Sequence, residues 1–504
     1  MSSRAPAHQI VRNGLVLDIA QRGVQVADIH IAGDAIAEIG APGLAAPADA
    51  QVIDASDRLI IPGLVNAHTH GHGSLGKGLG DKWSLELLLG ASPWVSGGYS
   101  LEDKQTAALL NAAELVMKGC TAAYDMYFEF PTASLEGLTA VAEAYASVGP
   151  RLVLAPMMGD IAFFHAVPGL LDALPEPHRS RAEQLAAAGS AEHLRACAAL
   201  LRGWSLDREL ARPALGPTIP LHCSDDFMRG CRDLAEEHDV RLQMHLGESK
   251  AQAIAGLERY GKTLTAHLDD LGLLGPRFTG AHGVWLDDDD IQRFADRGAS
   301  IAHNPGSNLR LGAGVAPAQA ILKAGVGLGI GSDGSSSSDN QNMFEAMRAA
   351  AFVSRLHDPD PEHWLGTWEV LDAATTGSAA VLGLADRIGR IAPGFKADLV
   401  FLDLGNPNFV PLNDAANQIV NCEDSSAVDS VMIGGRMVLQ GRRFTAFDYT
   451  ALRRRAEAAV ARLREANAET QARMQAMAPY IAQHCTGLVC RHYHAARRID
   501  AGQH

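Results

Sequence analysis

An apolar run from Leu59 to Val65 leads into His68-Thr69-His70, and this stretch constrains the chain more than any other. The run reads as a buried strand despite the Pro62-Gly63 pair inside it. Side chains alternate faces along a strand, so His68 and His70 point the same way from its C-terminal tip. Two imidazoles converging at a strand end are a ready pair of ligands for zinc or another first-row metal. The same pair can also be a polar strand end packed against its neighbours. Matching ligands at the ends of other strands would decide between these readings.

The rest of the chain supplies such strands. After the first, strand-like segments run over residues 121–125, 151–157, 214–221, 240–245, 278–282, 300–304 and 327–332. Helical sequence intervenes, as over 102–118, 135–148, 225–238, 287–297 and 341–353. Counting residues 60–66, the pattern predicts eight strands, each followed by helical sequence. Eight such units favour an α/β fold closed as a TIM-type (β/α)8 barrel. A doubly wound open sheet is the alternative, but no Gly-rich dinucleotide fingerprint follows the first strand.

Residues 9–61 have a different character. Short strands over 9–17, 24–32, 35–39, 51–54 and 59–61 are punctuated by Gly and Pro. Gly389 to Asp403 and residues 428–440 repeat that pattern near the other end. Both chain ends are therefore expected to build one small β-sandwich, residues 1–61 its first part and 389–445 its second. Residues 62–388 would form the barrel, and 446–504 a helical extension. A chain of 504 residues is long enough for that large core and one smaller domain.

Charge and composition exclude some classes of partner. A formal charge of −15, from 43 Lys+Arg against 58 Asp+Glu, disfavours nucleic acid and anionic membrane. No apolar run approaches the ~18 residues of a membrane span, and the first residues lack the pattern of a signal peptide. Seven scattered cysteines, an odd number, predict reduced thiols in a cytoplasmic setting. The expected partners are a small-molecule substrate and further copies of the chain, as a dimer or tetramer.

A barrel places its reactive groups at the C-terminal ends of its strands. Strand five ends in His245, within Met244-His-Leu-Gly-Glu248, strand six in His282, and strand eight in Asp333 of Gly331-Ser-Asp-Gly. Three histidines and an aspartate can fill a metal site that keeps one position for water. Any one of these histidines alone reads more readily as a hydrogen-bonded core residue. Five ligand-type residues at four strand tips are hard to obtain by accident.

These motifs resemble the amidohydrolase superfamily, and within it the branch of cytosine deaminases, methylthioadenosine/S-adenosylhomocysteine deaminases and triazine hydrolases. Pro62-Gly-Leu-Val-Asn-Ala-His, Asn304-Pro-Gly-Ser-Asn-Leu-Arg-Leu and Gly394-Phe-Lys-Ala-Asp-Leu-Val strengthen the resemblance, which spans about residues 10–445. It implies that His68, His70, His245 and Asp333 bind one divalent metal, with Glu248 and His282 as catalytic groups beside it. Binuclear members carry a lysine at the end of strand four, and Ala214 to His222 contain none. One metal is therefore expected, zinc first and iron(II) as the alternative.

The chemistry follows from the groups. A divalent cation lowers the pKa of bound water from ~15.7 towards ~7. Asp333 is placed to take the water's proton, Glu248 to protonate a ring nitrogen, and His282 to hydrogen-bond the attacking oxygen. The expected activity is hydrolytic deamination of an aminated N-heterocycle. The alternatives are the same machinery expelling chloride or an alkylamine or opening a cyclic amide, and, more remotely, a non-catalytic relative.

Substrate identity is less constrained. Nucleoside-type members place a glutamate after strand one and a histidine in a Gly-Pro-His-Ala-Pro phrase. Here no Asp or Glu lies between Glu86 and Glu102, and the phrase reads Gly216-Pro-Thr-Ile-Pro220. Both departures favour a free purine, pterin, pyrimidine or triazine ring. Burying ribose hydroxyls without partners costs about 1–3 kcal/mol each, which predicts at least ~100-fold preference for the free ring. Trp83 could stack on that ring, and His222 could reach it. Residues 159–190 read as a lid. The Asp287-Asp-Asp-Asp290 run reads as a helix cap. The tail, with His484, Cys485, Cys490, His492 and His494, hints at zinc but more simply packs on the barrel or on a second subunit.

Overall fold

The computed structural model describes residues 5–130, 132–185 and 187–497. Five strands open the chain: β1 (His8–Asp18), β2 (Gly23–Ala32), β3 (Ala35–Gly40), β4 (Gln51–Asp54) and β5 (Arg58–Pro62). The middle strands are β6 (Leu64–His70), β7 (Cys120–Phe128), β8 (Arg151–Met158), β9 (Ala211–Pro213), β10 (Gly216–Pro217), β11 (Leu242–Leu246), β12 (Phe278–His282), β13 (Ser300–His303), β14 (Gly327–Ile330) and β15 (Asp333–Gly334). Four more follow: β16 (Leu399–Asp403), β17 (Val428–Ile433), β18 (Arg436–Gln440) and β19 (Arg443–Phe444).

The two chain ends meet in one sheet. Its order is β19-β18-β17-β16-β5-β1-β2-β3, with β4 beside β1, so the pairing runs through all nine strands where the sequence predicts a sandwich. β5 pairs antiparallel with β16, Ile60 opposite Phe401. Alternate residues such as Ile29 and Ile31, or Leu399 and Phe401, pack into a common apolar cluster with Ile36, Ile60 and Met432.

The apolar run that opened the sequence analysis serves two sheets, not one. β5 ends at Pro62 and β6 begins at Leu64. A Cβ on Gly63, between them, would stand 2.0 Å from Thr121 Oγ1. Only glycine lets the chain cross that close to β7, which is why the Pro-Gly pair interrupts an otherwise continuous apolar segment.

The middle strands are parallel and lie in two arcs. One runs β10-β8-β7-β6-β15, with β9 beside β8; the other runs β11-β12-β13-β14. A parallel bridge between Leu215 and Leu242 joins them on one side. On the other, β15 follows two residues after β14 and pairs with β6, Asp333 opposite Thr69. The strand expected over 214–221 is mostly absent. Only Gly216 and Pro217 pair with β8, and Pro220–His222 turn as a 3-10 helix. Pro217 and Pro220 have no N–H to donate to a ladder, so the segment cannot continue as a strand.

The helices Leu101–Met117, Leu135–Val148, Asp225–Glu237, Asp288–Arg297 and Met343–Ser354 lie within two residues of their predicted limits. Reciprocal capping by Ser100 with Asp103, and by Asp287 with Asp290, fixes two of their starts, as the Asp287–Asp290 run suggested. Helices Tyr449–Ala466 and Ala468–Val489 close the described chain. No helix among the described residues is long and apolar enough to cross a membrane.

Candidate metal centre

The strand tips bring five side chains to one point. The ring centroids of His68 and His70 stand 4.6 Å apart, and those of His68 and His245 5.0 Å. His70 Nε2 is 3.0 Å from His245 Nε2. Asp333 Oδ1 lies 3.3 Å from His68 Nε2 and 3.1 Å from His70 Nε2. His68, His70 and His245 form one group, and His68, His282 and Asp333 a second, whose potential ligand atoms all lie within 4.8 Å of one another.

Hydrogen bonds on the far side of each ring fix its tautomer. His70 Nδ1 is 2.7 Å from the Met126 carbonyl, and His245 Nδ1 2.7 Å from the Thr218 carbonyl. A carbonyl oxygen only accepts, so both Nδ1 atoms carry the proton and both Nε2 atoms present lone pairs. His68 Nδ1 donates to Gln243 Oε1 at 2.7 Å, and Gln243 is itself oriented by its amide donating to the Ala67 carbonyl. His282 Nδ1 donates likewise to Asn308 Oδ1 at 2.9 Å. Lone pairs on several nitrogens thus face each other and a carboxylate. His68 Nε2, His282 Nε2 and Asp333 Oδ1 are buried without hydrogen-bond partners. Such an electron-rich cluster costs roughly 1–3 kcal/mol per unpaired group unless a cation sits within it. Three imidazoles whose outer nitrogens are anchored, with a buried carboxylate, match the donor set of a divalent metal site.

The site is electrostatically polarised. Burial, then the charges of Asp333 and Glu86, push Glu248 well above the usual carboxylate range, which favours its protonated form. Its Oε2 lies 3.6 Å from His282 Nε2. Burial holds His282 down to about 4, which leaves its ring neutral. Burial would raise Asp333, but the His68 and His70 rings beside it hold it well below its ordinary value. Two of these residues also sit on left-handed backbone, His282 at φ 75° and Asp333 at φ 59°. That conformation costs a non-glycine residue of order ~1–3 kcal/mol and is typical of functional positions.

The two residues expected to touch the substrate make aromatic contacts of their own. Trp83 packs edge-on against Trp94, centroids 5.8 Å apart. His222 stacks on Phe163 at 6.1 Å, and burial with the nearby Arg259 charge lowers it to about 4. The tail's His and Cys residues disperse: His484 bonds the Pro168 carbonyl, Cys485 is buried among apolar side chains, and His494 pairs with Asp287.

Several residues at the site carry no signal of their own in the sequence. Gln243 sits two before His245 on the same strand, a spacing that could have flagged it. Asn308 lies inside the Asn304-Pro-Gly-Ser-Asn phrase, and Ser337, which donates to Asp333 Oδ2 at 2.7 Å, sits in the serine run after Asp333. His72, buried beside His70, accepts from the Phe128 amide. Glu86 is buried, accepting from Ser84 Oγ at 2.9 Å and Ser249 Oγ at 2.6 Å.

Comparison with known proteins agrees with this geometry. Residues 59–438 match the model of the Amidohydrolase family. The chain is 33% identical over 448 residues to the 5-methylthioadenosine/S-adenosylhomocysteine deaminase of Syntrophobacter fumaroxidans, covering 88% of this chain and 94% of that one. It is 31% identical over 447 residues to the 5'-deoxyadenosine deaminase of Methanothermobacter thermautotrophicus, covering 88% and 96%. Among solved structures, a zinc-bound adenosine deaminase from Xanthomonas campestris superposes with a TM-score of 0.81 at 28% identity, covering 92% of this chain and all of that one. A variant of the atrazine chlorohydrolase of Arthrobacter aurescens, complexed with zinc and atraton, superposes with a TM-score of 0.80 at 26% identity, covering 90% and 99%.

Proposed function

The chain belongs to the amidohydrolase family, and from that premise we propose that it is a metal-dependent hydrolytic deaminase of an aminated N-heterocycle. One observation carries the reading: the bare Nε2 atoms of anchored histidines converge on Asp333, with Glu248 buried beside His282. His68, His70, His245 and Asp333 would hold a single divalent ion, and zinc is supported by its presence in the related structures. Bound there, the ion supplies the acidity that makes water a nucleophile near neutral pH.

The remaining steps belong to side chains of this chain. Asp333, with Oδ2 tied to Ser337, accepts the water's proton on Oδ1. Glu248 donates its proton to the ring nitrogen next to the attacked carbon, so the ring accepts the electron pair that the new C–O bond displaces. His282, neutral and bare at Nε2, accepts a hydrogen bond from the attacking oxygen and so orients it. Asp333 then passes the water's proton to the amino group, the C–N bond breaks and ammonia leaves, and the new C–OH gives up its proton to Glu248 as the ring carbonyl forms.

The fold reading is finer than the pairing alone. The Leu215–Leu242 bridge and the β15–β6 pairing support one closed (β/α)8 barrel over residues 62–388. The shared apolar core of both chain ends supports a small β-sandwich from 1–61 and 389–445, with 446–504 as a helical extension. Seven free thiols support a reducing, cytoplasmic setting.

The absence of a carboxylate from residues 87–101 favours a free ring. Glu86 favours a second reading. It lines a cavity of about 330 Å³ together with Ser249, the residue after Glu248, where a hydroxylated substituent on the ring would find an acceptor. The test is ammonia release by metal-replete protein across paired bases and nucleosides of purines, with pterins, pyrimidines and aminated or chlorinated triazines alongside. Release of ammonia from an aminopurine, with kcat/KM compared within each pair, supports deamination and chooses between free and substituted rings. Release of chloride alone would contradict it.

A further inference from the structure

The cavity lined by Ser249, the residue after Glu248, is closed by a part of the chain that lies beyond the family match, which ends at residue 438. Glu86, Ser249 and Leu311 line one side, and Cys485, Thr486 and Val489 of the last helix line the other. We infer that the C-terminal helix Ala468–Val489 is a wall of the substrate cavity, and that Thr486 and Val489 set which ring substituents are accepted. The inference rests on the deaminase reading above and names where its specificity resides.

Three observations carry it. The helix is anchored across the site by an apolar stripe, Met474, Met477, Ile481, Cys485 and Leu488, spaced three or four residues apart. That stripe packs into one cluster with Phe164, Leu170, Ile254 and Trp285, which follow β8, β11 and β12 at their C-terminal ends. The helix is also tied at both ends. Asn467 donates to the Trp94 and Gly97 carbonyls at 3.2 and 2.9 Å. Beyond the helix, Tyr493 donates to the Trp285 carbonyl at 3.3 Å, and the Arg497 side chain to the Leu286 carbonyl at 2.6 Å. Finally, the cavity adjoins the proposed acid: Ser249, the residue after Glu248, lines it and donates to Glu86 at 2.6 Å.

A helix held at both ends and along its stripe presents a fixed face. Ala482, Thr486 and Val489 follow one another on that face and look into the cavity. Thr486 is exposed and Val489 half-buried at its mouth, so a larger side chain at either fills space without disturbing the core.

The experiment compares full-length, metal-replete wild type with Thr486→Trp and Val489→Trp, using adenine, adenosine and 5'-methylthioadenosine. The expected result is that kcat/KM falls with substituent size, at least ~10-fold for the largest member and little for adenine, through KM. Metal content should not change. A uniform loss across the three compounds, or none, overturns the inference. If wild type deaminates none of them, the deaminase reading fails for purines, and binding of 5'-methylthioadenosine by equilibrium dialysis decides. Binding weakened ~10-fold in the variants supports the wall; binding that is absent from wild type, or equal in all three proteins, overturns it.

Discussion

At Glu248, burial and the neighbouring charges of Asp333 and Glu86 act in the same direction and favour the protonated carboxyl. A proton donor is lost when Glu248→Gln is made, while no ligand of the cluster is touched. Metal content should therefore stay at the wild-type level while kcat falls by about 10²-fold or more; loss of metal would make Glu248 a ligand. The same electrostatics give a pH prediction. An acid that works protonated loses activity as pH rises through its pKa, which is the alkaline limb of the profile. Glu86→Gln removes a negative charge near Glu248, makes its ionised form less unfavourable, and lowers that pKa. The alkaline limb of kcat/KM should move to lower pH, and an unmoved limb would mean that the two carboxylates do not interact. At this scale the ligand-type residues were legible because strand tips and His-x-His spacing carry them. Gln243, Asn308 and Ser337 were missed, since they act by holding other side chains; of the three, only Gln243, two before His245 on one strand, has a spacing that flags it.

At the scale of elements, helix limits were read within two residues because capping chemistry and apolar periodicity agree at both ends. Short strands were harder. Residues 214–221 are apolar enough for a strand, but the prolines leave only Gly216 and Pro217 paired with β8 and Leu215 bridged to Leu242. The Asp333 segment breaks from β14 because its φ of 59° turns the chain, and neither side-chain pattern nor composition reports a backbone angle. Gly63 is the joint that the sequence hid inside one apolar run. Gly63→Ala would drive a methyl into Thr121 at a point where β5, β6 and β7 meet. Overpacking of that kind costs typically about 1–3 kcal/mol, so the melting temperature should drop measurably. An unchanged melting temperature would show that the joint has room.

Across the whole molecule, the outer sheet is locked to the parallel strands by a buried ion pair. Arg151, at the start of β8, donates to both oxygens of Asp398 at 2.8 and 3.0 Å. Asp398 also accepts from the Gly434 amide with its side chain and from the Gly63 amide with its backbone. Asp398→Ala leaves a buried guanidinium unpaired, which costs about 3–5 kcal/mol in comparable cases. Denaturant unfolding should report a loss of that size, and a change under about 1 kcal/mol would mean the pair is not what joins the two parts. The common sheet of the two chain ends was legible as shared strand-and-turn character. The tail's place over the strand tips was not, because an amphipathic helix shows that it packs without showing on what.

The central claim is that four side chains from β6, β11 and β15 hold one divalent ion that deamination requires. The measurement that tests it most directly is zinc titration of chelator-treated protein, reading bound metal and ammonia release together on the best substrate of the panel. The account predicts no activity without metal, full recovery at one equivalent, and neither tight binding nor recovery in His68→Ala. Activity in the metal-free protein, or recovery only at two equivalents, would contradict it.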